Sequence, residues 1–78
     1  MPTLLRKIGY RFFFYSNDHL PNHIHVEKEN KTAKFNLTEL ELINSRGFNA
    51  SELQKIHKLV FEFAETFKNK WDEYFDNK

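Results

Sequence analysis

The run YRFFFY over residues 10–15 limits what this chain can become more than any other segment. Alternate side chains of a strand face opposite sides, so Phe12 and Phe14 point one way and Phe13 and Tyr15 the other. A strand that is apolar on both sides belongs inside a sheet rather than at its edge. The sheet must also be small, because the chain has only 78 residues. A domain of that length buries about 60% of its unfolded surface, and without cysteine it has neither disulfides nor thiolate metal sites to reinforce it. Nine Phe, three Tyr and one Trp must supply the core.

Around this strand the first half of the chain reads as β structure. Residues 3–9 form either the start of one bent strand or a short strand turning near Lys7 to Gly9. In HIHVEK, Ile24 and Val26 point to one face and His23, His25 and Glu27 to the other. Asn30 and Lys31 are expected to make a hairpin turn, after which Ala33, Phe35 and Leu37 return on the apolar face and Lys34 and Asn36 on the polar one. The apolar parity then slips to Leu40 and Leu42, which predicts a bulge near Thr38 and Glu39 before a turn at NSRG.

After Gly47 the period changes. Asn49 as N-cap, Glu52 closing a capping box, and Phe48 with Leu53 as a hydrophobic staple mark a helix start. Leu53, Ile56, Val60, Phe63, Phe67, Trp71 and Tyr74 then recur at spacings of three and four, with Ala64 among them, as one long helix or two with a break. The expected fold class is α+β: a three- to four-stranded, mainly antiparallel sheet followed by a long C-terminal helix packed on one face. One domain is expected over residues 1–78, with a β-rich part at 1–46 and a helical part at 48–76. Leu59, Phe61 and Phe75 lie at or beyond the edges of the helical stripe and are candidate partner-binding residues, for a second protein or a homo-oligomer.

Charge excludes some functions. The net charge is +1, with seven basic and five acidic side chains in residues 1–46 and five and six in residues 47–78. No segregated basic face points to duplex nucleic acid, and Arg6, Lys7, Arg11, Lys28, Lys31 and Lys34 read as scattered solubilising charge, the alternative being a local basic patch. No stretch approaches the roughly 20 apolar residues that span a bilayer, and the N-terminus lacks a signal-peptide run, so the expected location is cytoplasmic with no membrane partner. Asn-x-Ser/Thr triplets at Asn30, Asn36 and Asn49 then carry no meaning. Phosphate-binding Gly-rich loops, Gly-x-Ser-x-Gly and thiol nucleophiles are absent from the sequence.

The chemistry concentrates in SNDHLPNHIHVE, residues 16–27, which holds three of the four histidines. His23 and His25 stand about 6.6 Å apart on one side of a strand and can share a metal ion. Glu27, about 13 Å from His23, fits less well than a third ligand from the loop, His19 or Asp18. Pro21 holds that loop extended and biases Leu20 away from helix. No cofactor is expected, a zinc-type divalent metal being the one candidate. Alternatively His19, His23 and His25, with Arg11, Glu27 and Lys34, form an acid–base surface able to move protons and stabilise charge during RNA cleavage. The bland alternative has His19 and His23 satisfying loop backbone while His25 and Glu27 sit on a solvated face. The crowding of Asp18, His19, His23, His25 and Glu27 argues against it. Both working readings require the imidazoles to project away from the side that Ile24 and Val26 press onto the helix. His57 reads as a packed or a boundary residue rather than a ligand.

The segments MPTLLRKIGYRFFFYSNDHLPNHIHVE, AKFNL, NSRGFNASELQKI and WDEYF resemble, in that order, a bacterial and phage-borne family catalogued as domain of unknown function 4160. Its specific parts here are Gly9 to Ser16, His19 to Glu27, Arg46 to Leu53 and Trp71 to Phe75. Asn22 stands where the family often has a second proline, which would loosen the loop, and Asn36 where it often has an aromatic or apolar residue. The resemblance marks Arg11, Asp18, His19, Pro21, His23, His25 and Glu27. It also implies a setting, since members are often encoded beside a second small family of unknown function, numbered 2442, in pairs that look like toxin–antitoxin modules. The function expected is that of one component of such a two-gene module, binding a small partner protein and acting on RNA through the histidine-bearing face. The alternatives are a non-catalytic interaction or oligomerisation module, and a metal-binding protein.

Overall fold

In a computed structural model that describes residues 3–75, five strands precede two helices. They are β1 (Thr3–Lys7), β2 (Tyr10–Phe13), β3 (His23–Lys28), β4 (Lys31–Asn36), β5 (Leu42–Arg46), α1 (Ala50–Glu62) and α2 (Ala64–Phe75). The strands form one sheet in sequence order, every neighbouring pair antiparallel. The α+β class is as expected. The sheet has one or two more strands than the sequence suggested, and the single long helix is divided. Residues 1–2 of the family-like opening and residue 76, the expected end of the helical part, lie outside the described residues.

Each turn has a local cause. Lys7 pairs with Tyr10 across Ile8 and Gly9, both at positive φ (43° and 89°), so the N-terminal segment is a hairpin and not one bent strand. Lys28 pairs with Lys31, which puts the next turn at Glu29 and Asn30, one residue earlier than expected, with Glu29 at φ 59°. The Asn36 side chain accepts hydrogen bonds from the backbone N–H groups of Thr38 and Glu39 (2.6 and 2.8 Å) and so closes the β4–β5 turn. The parity slip therefore marks a turn, and the expected turn at NSRG is corrected: Asn44 to Arg46 belong to β5. A register shift between Lys34 and Phe35, opposite Asn44 and Leu42, is the bulge in this pair.

Tyr10, Phe12, Phe14, Ile24, Val26, Ala33, Phe35 and Leu37 form the sheet's contribution to the core, and Ile56, Leu59, Val60, Phe67 and Trp71 the helices'. Phe12 stacks on Phe67 (5.3 Å between centroids) and Phe14 meets Trp71 edge-on (5.1 Å). Leu59 is buried here and so differs from the exposed role expected of it. The helix start is as the sequence indicates: Glu52 N–H donates to Asn49 Oδ1 (2.8 Å) and Asn49 N–H to Glu52 Oε1 (3.4 Å). Lys31 ties β4 to this cap through Glu52 (3.0 Å). The helices part at Phe63 (φ −104°, ψ 16°), although Phe63 N–H still reaches Leu59 O and Phe67 N–H reaches Phe63 O. One residue leaves helical geometry without a Pro or Gly and without changing the apolar stripe, so periodicity had nothing to register.

Candidate functional site

The sheet face away from the helices carries the chemistry, and strand register sets its rows. Arg11, Glu27, Thr32 and Arg46 lie side by side across β2 to β5; Phe13, His25, Lys34 and Asn44 form the next row. Phe13 is 2% exposed although it is absent from the main core. Its cover is polar and aromatic: the Arg11 guanidinium at 4.1 Å, the Tyr15 ring at 5.1 Å and the His25 ring stacked at 5.4 Å.

Asp18 organises the end of this face. The strand expected to run to Tyr15 ends at Phe13, and the chain turns back so that Asp18 N–H donates to Tyr15 O (3.1 Å) and Tyr15 N–H donates to Asp18 Oδ2 (2.9 Å). The carboxylate is thereby aimed at two imidazoles. His23 Nε2 lies 3.2 Å from Oδ1, and His25 Nε2 lies 3.2 and 3.1 Å from Oδ1 and Oδ2. His23 Nδ1 donates to the Pro21 carbonyl at 2.8 Å. Leu20 and Pro21 form a bend, joined by a cis peptide, rather than the extended segment expected. The loop is not loosened at Asn22, whose carbonyl accepts from Leu37 N–H (3.1 Å) and whose Oδ1 accepts from the Thr38 hydroxyl (2.9 Å).

The expectation that both imidazoles leave the helix side holds for His25 and only in part for His23. The His23 residue is 6% exposed and its ring lies 5.2 Å from Trp71. It opens β3 at the end of the sheet, where Trp71, packed against Phe14, reaches the strand terminus. The two imidazoles remain edge to face, 5.0 Å apart, and converge on the same carboxylate.

Electrostatics follow from this packing. Burial pushes the Asp18 carboxyl up, but the Tyr15 N–H and the two histidines together hold it below its ordinary range. For His25, burial drives the pKa down; Asp18 opposes this, while His23 and Lys34 reinforce it. Among the described residues, Asp18, His23 and His25 are the group whose ligand atoms lie close enough, within 4.8 Å of one another, to hold a metal ion. Asp18 and His23 also line a cleft of about 420 Å³ with His19, Pro21, Lys34 and Ile43.

The remaining predicted residues are placed differently. His19 is exposed, lines the cleft and is not part of the ligand triangle. Arg11 and Glu27 pair with each other at 2.6 Å, and Arg11 Nε donates to Thr3 Oγ1 (3.0 Å), so they brace Phe13 beside the triangle rather than join it. Phe61 is 70% exposed, whereas Phe75 packs on Trp71 (4.1 Å) and Phe14 (5.6 Å). His57 is exposed, its ring tilted against Phe35 at 5.5 Å and its Nε2 2.7 Å from Leu40 O, so it is a boundary residue and not a packed one. Sequence reasoning missed Phe13 as the platform under His25 and Tyr15 as the residue that aims Asp18. The spacing of three from Tyr15 to Asp18 in a polar turn was the available signal.

Fold and site together define a small α+β domain with a carboxylate–bis-imidazole cluster at one end of an antiparallel sheet. The chain belongs to the family described as Domain of unknown function (DUF4160), whose model matches residues 9–72. No curated protein and no solved structure matches it. Among the described residues, no helix is long and apolar enough to cross a membrane.

Proposed function

We propose that this chain is one component of a two-gene toxin–antitoxin-like module, working in the bacterial cytoplasm, and that its working site is the cleft lined by Asp18 and His23, with His25 joined to Asp18. The substrate class proposed is RNA. The observation that carries this reading is convergence: two imidazoles meet one carboxylate at 3.1–3.2 Å beside a cleft that Lys34 also lines. Among the described residues Lys34 has no ion-pair partner, so its ammonium is available to a phosphodiester, while the triangle supplies groups able to polarise it. Arg11 and Glu27 act at one remove, by fixing the platform on which His25 stacks.

Co-expression with the neighbouring gene tests this. The two products are expected to co-purify, one of them alone to arrest growth, and His25→Ala to abolish the RNA-directed effect of this chain without unfolding it. If neither product alters growth and the two do not bind, the module reading fails.

One observation favours a second reading, a non-catalytic interaction or homo-oligomerisation module. Phe61 is 70% exposed on α1 and lines a shallow depression of about 330 Å³ with Gln54, His57 and Lys58. Under that reading Phe61→Ser breaks assembly and His25→Ala behaves as wild type.

A further inference from the structure

We propose that Asp18, His23 and His25 bind a divalent transition-metal ion whose open coordination positions face the cleft. The first observation is the tautomer of His23. A carbonyl oxygen only accepts, so the 2.8 Å contact with Pro21 O places a hydrogen on Nδ1. In the neutral ring Nε2 then presents its lone pair, and it does so 3.2 Å from Asp18 Oδ1, another acceptor. Two lone pairs at that separation repel, so a positive centre belongs between them: a second proton on the ring, or a metal ion.

Geometry and surroundings favour the metal. Bonds of about 2.0–2.2 Å at tetrahedral to octahedral angles place neighbouring donors roughly 3.0–3.4 Å apart. Both nitrogen–carboxylate separations, 3.2 and 3.1 Å, fall in that range, and the remaining donor pair lies within 4.8 Å, so the two imidazoles need only a small approach to share the ion. A proton on His23 and the Nε2 hydrogen of a neutral His25 would satisfy the two edges separately, whereas an ion engages all three donors at once. Each ligand is also held from behind. Pro21 O fixes the tautomer of His23, Tyr15 N–H orients the Asp18 carboxylate, and the Phe13 and Tyr15 rings flank His25 at 5.4 and 4.7 Å. Metal sites use such outer-shell contacts to set ring orientation and ligand basicity. Three protein ligands leave positions open, the pattern of a reactive rather than a closed structural site, and the cleft reaches two of the three. Two imidazoles with one carboxylate suit Zn²⁺, Fe²⁺, Co²⁺ or Mn²⁺ better than Ca²⁺ or Mg²⁺, which prefer all-oxygen surroundings. What the ion would do rests on the RNA reading above, by polarising a phosphodiester oxygen or a bound water; that it binds does not.

The test uses the full chain without a polyhistidine tag, stripped with a chelator and titrated with Co²⁺ as an optical probe, then with Zn²⁺ in competition. The expected result is one equivalent of Co²⁺ with visible d–d absorption that Zn²⁺ displaces. Asp18→Asn and His25→Gln should each weaken binding by more than about 100-fold, the upper end of what losing an outer-shell partner costs, while His19→Gln and His57→Gln leave it unchanged. Asn can still accept from Tyr15 N–H and His25 is not fully buried, so these two variants carry the test, with circular dichroism reporting their fold. Absence of stoichiometric binding, or binding that persists in folded Asp18→Asn or moves with His19→Gln, overturns the proposal. A protein that cleaves RNA yet takes up no Co²⁺ overturns it while sparing the RNA reading. Tight Co²⁺ binding by a protein that leaves RNA intact does the reverse.

Discussion

The two faces of the sheet are built by different rules. Beneath the helices, Phe12, Phe14, Ile24, Val26, Phe35 and Leu37 are fully or almost fully buried among apolar neighbours, and any one of them shares its cover with several others. On the opposite face Phe13 is almost as well hidden, yet its cover is a guanidinium, a phenol and an imidazole. Two of those groups are held in turn by a few directed bonds, Arg11 to Glu27 and Thr3 and His25 to Asp18. The first face resists change by redundancy. The second trades redundancy for position, so loss of one partner there should disturb a constellation more than a fold.

Substitutions of matched size separate these rules, and the largest effect is expected under the helices. Phe67→Ala removes a 0% exposed ring stacked on Phe12 and should cost about 3–5 kcal/mol in urea unfolding. That is comparable to the whole stability of a domain this small. Phe13→Ala should cost less, about 3 kcal/mol at the low end of that range, since surface-exposed Tyr15 can settle into the space. Equal losses at the two positions would erase the distinction. Next comes Asp18→Asn, which keeps the shape but weakens the charge-assisted contacts to His23 and His25; the expected loss is about 1–2 kcal/mol with the fold retained. Global unfolding by this change would mean that the cluster is structural first.

The smallest effect is expected outside both faces, at the start of α1, and concerns pH. The Lys31 hydrogen bond, against burial and with help from Asn49 N–H, holds the Glu52 carboxyl below its ordinary range. A carboxyl depressed in the folded state contributes stability above its unfolded pKa, and that contribution is lost as pH falls through the folded value. Glu52→Gln should therefore be less stable than wild type near neutrality, with the gap closing as pH drops below about 4. A gap independent of pH would remove the ion pair from the account.

How much of this was legible in the sequence follows the same division. Ile24 and Val26 against His25 and Glu27 could be sorted by parity alone, and Asn49 with Glu52 announced the helix, because burial and capping leave periodic or fixed-spacing marks. Strand β5 left no such mark. Its residues Leu42 to Arg46 are all exposed, without an apolar face to alternate, and it is held by backbone pairing to β4. His19 and Asp18 were equal candidates for the third position, since spacing cannot tell which way a loop turns; the Tyr15–Asp18 hydrogen bonds choose the carboxylate. Arg11 and Glu27 were identified as polar-face residues, but that they satisfy each other depends on the β2–β3 register.

The central claim is that the Asp18, His23 and His25 donors surround one cation. Anomalous diffraction at the zinc edge, from crystals of the untagged chain grown with Zn²⁺, tests it most directly. The account predicts a single peak about 2.0–2.2 Å from His23 Nε2, His25 Nε2 and an Asp18 carboxylate oxygen. Density that is empty there, or a peak bound by His19 or His57 instead, would contradict it.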